Sequence, residues 1–168
     1  MNLRALEPED LNMVYEIEND PSMWEVGNPA APYSKYALRQ YLAEEPTDII
    51  IRGSLRLVIE TDEGKGVGLM DILNYSPTDR SAEIGIAIRK ECRGCGLGLQ
   101  ALARVEAYCR DILNLCQLYA RVGAGNHASK KLFKDAGFET VATLPRWHYV
   151  RGSYEDIIYV RKWLAPEV

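Results

Sequence analysis

Residues 81–98 read SAEIGIAIRKECRGCGLG, and the order of features in this stretch decides the fold. Glu83-Ile84-Gly85-Ile86-Ala87-Ile88 alternates strictly, with isoleucines on one side and Glu83, Gly85 and Ala87 on the other, the period of a strand. Arg93-Gly94-Cys95-Gly96-Leu97-Gly98 follows. Beyond it Leu102, Val105, Cys109 and Ile112 recur at helical spacing on one face. A helix start carries free N–H groups and partial positive charge, and glycines just before it let the backbone close on a phosphate. Two other phosphate loops are excluded. Counting from Gly94, the sixth position is Leu99, which breaks the dinucleotide fingerprint, and no Lys-Ser/Thr pair follows the glycines as a nucleoside-triphosphate loop needs. What remains is Arg-x-x-Gly-x-Gly, a cradle for a diphosphate.

Outward from this stretch the chain is continuous, without repeats or long linkers. Leu3–Leu6 reads as a strand. Glu7-Pro8-Glu9-Asp10 opens a helix through Leu11, Val14 and Ile17, and Asn19-Asp20-Pro21 ends it. Residues 22–33 read as loop, and Ser34 caps a helix to about Glu44. Leu55–Glu60 and Val67–Tyr75 form a hairpin across a turn-rich loop. Downstream, Gln117–Val122 is a strand and Asn126–Ala136 a helix with Leu132 and Phe133 inward, stopped at Gly137. Phe138–Leu144 and Tyr154–Val160 are the last strands. The order βααβββαβαββ predicts an α/β (α+β) protein. Its central sheet is mixed but mostly antiparallel, with about four helices and a single βαβ crossover, in one domain over residues 1–168.

Composition narrows the function. The chain has 168 residues, 47% hydrophobic and 26% charged, with a net charge of −4. That balance argues against nucleic acid, whose phosphates need a surplus of Lys and Arg. The N-terminus lacks a secretory core segment and no apolar run approaches membrane-spanning length, so a cytoplasmic address is expected. Cys92 and Cys95 form a C-x-x-C, but no second pair completes a zinc site and no metal is expected.

A second motif lies downstream of the glycine loop: Asn126-x-x-Ser129-x-x-Leu132-Phe133-x-x-x-Gly137-Phe138. Together the two resemble the cofactor motifs of the GNAT N-acetyltransferase superfamily. The likeness spans nearly the whole chain, from Leu3-Arg4-Ala5-Leu6 to Arg151-Gly152-Ser153-Tyr154. It is similar to the bacterial spermidine/spermine N-acetyltransferases and the ribosomal-protein N-terminal acetyltransferases. The resemblance implies acetyl-CoA as cosubstrate. It implies that the N–H groups of Arg93, Gly94, Cys95, Gly96, Leu97 and Gly98 hold the diphosphate, and that Ile86, Ala87 and Ile88 pair with the pantetheine arm. Asn126 would bond the cofactor, cap its helix, or do both, while Ser129 or Lys131 could face the cofactor. Phe133 is also placed at the cofactor, where the polyamine-acetylating relatives commonly carry a Tyr that serves as acid.

Acetyl transfer needs a neutral amine, and for a lysine-like group only about one in 2,500 is neutral at pH 7. Glu83, beside the small Gly85 and Ala87, is the first candidate to take the proton. Asp71 on the neighbouring strand is a second base or an anchor for the amine. Because Phe133 has no proton to donate, Ser129, Tyr149, Tyr154 or water would replace the missing acid. Trp24 and His148 are candidate acceptor-site residues. The acids Glu16, Glu18, Asp20, Glu25, Glu44 and Glu45 either draw in a cation or simply face solvent. The leading expectation is direct transfer from acetyl-CoA to a primary amine, a polyamine-like acceptor before a protein N-terminus, in a chain that can assemble with copies of itself. The rival is a non-catalytic module that binds coenzyme A as a sensor.

Overall fold

The alternating segment around Glu83 becomes the central strand of a seven-stranded sheet with the order β1-β2-β3-β4-β5-β7-β6. The computed structural model describes residues 1–23, 31–43, 49–150 and 152–164. Trp24, Glu25, Glu44 and Glu45 lie outside the described residues. The strands are β1 (Asn2–Arg4), β2 (Leu55–Glu60), β3 (Gly66–Ser76), β4 (Ser81–Ile88), β5 (Gln117–Gly123), β6 (Glu139–Val150) and β7 (Ser153–Trp163). Helices are α1 (Leu11–Glu18), α2 (Lys35–Ala43), the short α3 (Ile49–Arg52), α4 (Leu97–Asp111) and α5 (His127–Asp135). Every strand pair is antiparallel except β4–β5. This is the mixed, mostly antiparallel sheet read from the sequence.

Alternation along the strands sorts the two faces. Ile84, Leu118, Ala120, Val122 and Val160 point toward α4 and α5, where Ala101, Leu102, Val105, Cys109 and Phe133 complete the main core. Val58 and Leu69 point the other way and meet Met13, Val14 and Ile17 of α1 and Leu38 of α2. Burial pushes the Cys109 thiol up to about 12, so it is an inert apolar side chain in this core. α4 and α5 therefore cover one face of β4–β5–β7, while on the other, which carries Glu83, Ala87 at the far end of β4 packs against the α1 cluster.

Three boundaries differ from the sequence reading. β1 stops at Arg4 because Leu6 turns to pack against α1, after a 3-10 turn at Pro8–Asp10. Ile112 is 65% exposed, since α4 ends at Asp111 and Ile112 has left the buried face. The last hairpin is longer at both ends. Its ladder breaks between Leu144 and His148, where Pro145 has no N–H, Arg146 takes a φ of 50° and its amide donates to Asp156 Oδ1 at 2.8 Å, and then resumes to Val150.

Two tests follow from this packing. Leu102→Ala removes a fully buried side chain and should lower stability by roughly 2–5 kcal/mol in urea unfolding. Arg4 donates two hydrogen bonds to Asp10, and this holds the Asp10 carboxyl below its usual range. A depressed folded-state value stabilises the fold above the unfolded pKa, near 3.9, and the benefit vanishes as pH falls through the lower folded value. Asp10→Asn should therefore cost roughly 1–3 kcal/mol at pH 7, and its melting temperature should converge on that of the parent as pH drops below about 4.

Candidate active site

β4 and β5 pair only at Ser81↔Gln117, Ala82↔Leu118 and Glu83↔Tyr119. β4 continues to Ile88 and stays paired with β3 as far as Ile88↔Gly68, while β5 continues to Gly123 and stays paired with β7. Beyond Glu83 and Tyr119 the two parallel neighbours part. The residues of β4 from Ile84 to Ile88 thus present a strand edge toward β5 with no ladder partner there. An extended ligand can add to such an edge as a strand would. Ile86, Ala87 and Ile88 sit on it.

The wide end of the split leads to the glycine loop. Gly94 and Gly96 have φ of 77° and 75°, and Gly96 is the N-cap of α4, with no side chain capping the helix start. A Cβ at either position would meet nothing within 4 Å, so glycine is required there by the backbone conformation and not by crowding. Gly98 has a different role: its Cβ would sit 3.3 Å from Leu132, which makes it the close contact between α4 and α5. Leu97 packs on the core and Cys95 is exposed. The Arg93 guanidinium turns away from the loop, donating to Ile88 O at 2.8 Å, Ser22 Oγ at 3.1 Å and Asp20 Oδ2 at 2.9 Å. What the loop offers an anion is therefore main-chain amides at a helix N-terminus.

α5 is fixed at both ends. Asn126 Oδ1 accepts from Ser129 N–H at 3.0 Å as a helix cap, leaving its amide nitrogen as a donor. At the other end Gly137 has φ of 86°. Its N–H and that of Phe138 reach back to Lys134 O and Phe133 O, and the Phe138 ring meets Phe133 edge-on at 5.0 Å. Phe133 is 3% exposed. Lys131 is exposed and paired with Asp135 at 2.5 Å, directed along the helix surface.

Glu83 is 6% exposed and stands at the apex of the split. Oε1 accepts from Arg121 Nε at 2.7 Å and Oε2 from Asn74 Nδ2 at 2.8 Å. Tyr119 pairs with Glu83 across the ladder, and its hydroxyl is pushed to a higher pKa by burial and by the Glu83 charge. Each carboxylate oxygen keeps one free lone pair for an amine or a water. Asp71 lies beside Gly85 on the same face, but Arg56 holds it at 2.6 and 2.9 Å and also bonds Glu18 at 2.6 Å. Both Asp71 oxygens accept from Arg56, which orients the carboxylate within that pair.

His148 Nδ1 is 2.9 Å from Glu155 Oε1. Tyr149 is 59% exposed and lies ring-to-ring with Tyr154 at 5.1 Å. Since Gly123 pairs with Ile157, Tyr154 and its partner Tyr149 lie three residues, about 10 Å, past the end of β5. The hairpin tip thus carries both tyrosines away from the apex, and the expected acid role of Tyr149 is not supported by its position. Among the acids near the N-terminus, Glu16, Glu18 and Asp20 pair with Arg89, Arg56 and Arg93; Glu18 and Asp20 are largely covered in their pairs, whereas Glu16 stays mostly exposed. Sequence reading missed Arg56, Asn74, Arg121 and Glu155. The available signals were lone polar residues inside strands, but naming their partners needs the strand register. Among the described residues no cluster of His, Cys, Asp and Glu can hold a metal, and no helix is long and apolar enough to cross a membrane.

Comparison with known proteins agrees with this geometry. The family model described as an acetyltransferase (GNAT) domain matches residues 1–139. The spermidine N(1)-acetyltransferase of Escherichia coli K12 is 28% identical over 158 residues, covering 94% of this chain and 83% of the relative. The crystal structure of spermidine N-acetyltransferase from Vibrio cholerae in complex with CoA and spermine superposes with a TM-score of 0.86 at 26% identity, over 97% of this chain and 95% of that one. A dodecameric structure of the same enzyme gives 0.78 at 26% identity, over 97% and 93%.

One consequence of the loop geometry can be checked directly. Gly96→Asp places a side chain at a φ of 75° and a negative charge in the cradle. It should weaken coenzyme A at least about tenfold in calorimetric titration, the effect of losing roughly 1.4 kcal/mol.

Proposed function

Because this chain belongs to the GNAT acetyltransferase family and is an acetyl-CoA-dependent acetyltransferase, we propose that it acetylates a primary amine of a polyamine-like acceptor. The observation that carries this reading is the parting of β4 from β5 after Glu83, with the free edge ending at the glycine loop. Transfer is direct, within a ternary complex. The amides of residues 93–98 receive the diphosphate, and the edge of Ile86–Ile88 pairs with the pantetheine arm. Asn126 offers its remaining amide donor, and Ser129 lies one turn further along α5. Phe133 forms an apolar floor under the arm.

The thioester then lies near Gly85, where the missing side chain leaves room beside the apex. Glu83 draws the acceptor ammonium to that point and takes up the proton that must leave before nitrogen can attack, directly or through one water. Arg121 and Asn74 hold the carboxylate in place for this role. Expulsion of coenzyme A needs little acid assistance, because thiols ionise near 8.5. A phenylalanine at position 133 is therefore compatible with turnover.

Polyamine preference rests on the whole-chain likeness to spermidine N-acetyltransferases. By the same likeness we read residues 1–168 as one cytoplasmic catalytic domain that assembles with copies of itself, as the dodecameric relative does. Thiol release measured over a panel of amines tests the reading; coenzyme A binding without turnover on any acceptor would overturn it. Glu83→Gln should cut kcat by about 100-fold at pH 7 while shifting the dissociation constant of coenzyme A less than about threefold, with the deficit shrinking toward pH 10 as the amine supplies its own neutral form.

A further inference from the structure

Arg121 uses only part of its donor capacity on Glu83. Its Nε donates to Glu83 Oε1 at 2.7 Å, its side chain is 51% exposed, and among the described residues its Nη groups have no hydrogen-bond partner. A fork of N–H donors therefore faces the open side of the sheet beside the carboxylate assigned to take the proton. Strand register fixes its level. Glu83 pairs with Tyr119 at the last rung of the β4–β5 ladder, so Gly85 and Arg121, each two residues further on, stand level with one another on the two lips of the split. The guanidinium is thus adjacent both to Glu83 and to the place beside Gly85 where the thioester lies. A polyamine leaves this fork unmatched, because the atoms next to its amine are methylenes.

Toward the narrow end, the same face carries a cavity of about 490 Å³ with Ser81, Tyr119, Val141 and Tyr159 in its walls. Tyr119 joins it to the site: it is the ladder partner of Glu83, and its ring stacks on Tyr159 at 6.4 Å. The two charged residues of the cavity are already matched. Asp79 Oδ2 accepts from Ser76 Oγ at 2.8 Å, and Arg161 donates to Glu139 at 3.1 Å. What the cavity offers a ligand is mainly aromatic and aliphatic surface. A carboxylate for an amine, a guanidinium fork for an oxygen and an apolar cavity for a side chain therefore adjoin one another. Those are the three groups borne by the α-carbon of an amino-acid residue.

We propose that this chain also acetylates α-amines that carry a neighbouring carbonyl or carboxylate oxygen, and that Arg121 is the residue that selects them. This second acceptor class rests on the acetyl-transfer reading above and goes beyond the polyamine one. The amine lies at Glu83, its oxygen accepts from the Arg121 Nη groups, and an apolar side chain enters the cavity beside Tyr119. Transfer then follows the course already given. The nitrogen adds to the thioester carbon and the C–S bond breaks with its electron pair on sulfur. Of the two protons the ammonium sheds, Glu83 takes one and passes it to solvent, and the thiolate takes the other. An α-amine ionises near 7.7–8.0, so about one in ten is neutral at pH 7, and it asks less of a base than a lysine-like amine does.

The test compares kcat/KM for phenylalaninamide and phenethylamine, which differ only in the carboxamide, by thiol release from the full-length protein at saturating acetyl-CoA. Arg121→Met should lower the ratio of the first to the second by about 10- to 100-fold, the effect of one hydrogen bond from a charged donor. Misplacement of Glu83 would slow both amines alike and leave the ratio unmoved, and an unmoved ratio overturns the proposal. If Arg121→Met turns over neither amine, Val141→Trp, at an exposed wall of the cavity, takes its place. It should lower the ratio of phenylalaninamide to glycinamide by about tenfold, and no change there overturns the proposal as well. Phenylalanine and a phenylalanyl tripeptide separate the two sources of the oxygen; turnover of either supports the assignment. A parent that acetylates spermidine but none of these α-amines refutes the second acceptor class and leaves the polyamine reading standing. Absence of turnover on every amine removes the acetyl-transfer reading itself.

Discussion

The molecule is organised around a parallel strand pair that is allowed to fail. β4 and β5 share three paired positions and then diverge, yet each remains bound to an antiparallel neighbour on its other side. An unsatisfied strand edge is normally a liability, and here it is held open by the rest of the sheet. The apolar face beneath it is closed by α4 and α5, so the parting costs no exposed core. The split needs both conditions together: anchored outer ladders, and a helical layer beneath the gap.

Charge pairing locks the surrounding elements to this gap. The acids of α1 and the segment after it reach arginines in β2 and in the turn after β4, and Arg93 ties the end of β4 to Asp20 and Ser22. The glycine loop consequently has no guanidinium of its own to offer an anion. What it presents is amide dipoles, which are fixed in direction by the helix and need no side-chain ordering. On the open sheet face Arg56 and Arg121 likewise hold Asp71 and Glu83 in fixed orientations.

The last helix shows how one position serves fold and chemistry together. Phe133 makes the apolar contact of the turn that ends α5, with Phe138 against its ring. A buried hydroxyl there would need a hydrogen-bond partner that the phenyl ring does not. An aromatic hydrocarbon suits the fold, and the low basicity of a departing thiolate removes the chemical need for an acid at that position.

Element order, the mixed sheet, the glycine loop, the Asn126 cap and the Gly137 stop were legible from the amino-acid sequence, because each depends on contacts a few residues apart or on the two periods of strand and helix. Glu83 was legible as a candidate because it alternates with Gly85 and Ala87. Its partners Asn74 and Arg121 were not, for one comes from a bulged strand end and the other from across a crossover helix. Asp71 looked free until strand register set it beside Arg56, and His148 acquired a carboxylate only when the last hairpin folded back past Pro145. Local pattern determined what the elements are and where an anion can sit. Only the tertiary structure decided which acids are already matched by a cation and which groups stand at the gap, since register and charge pairing join residues far apart in the chain.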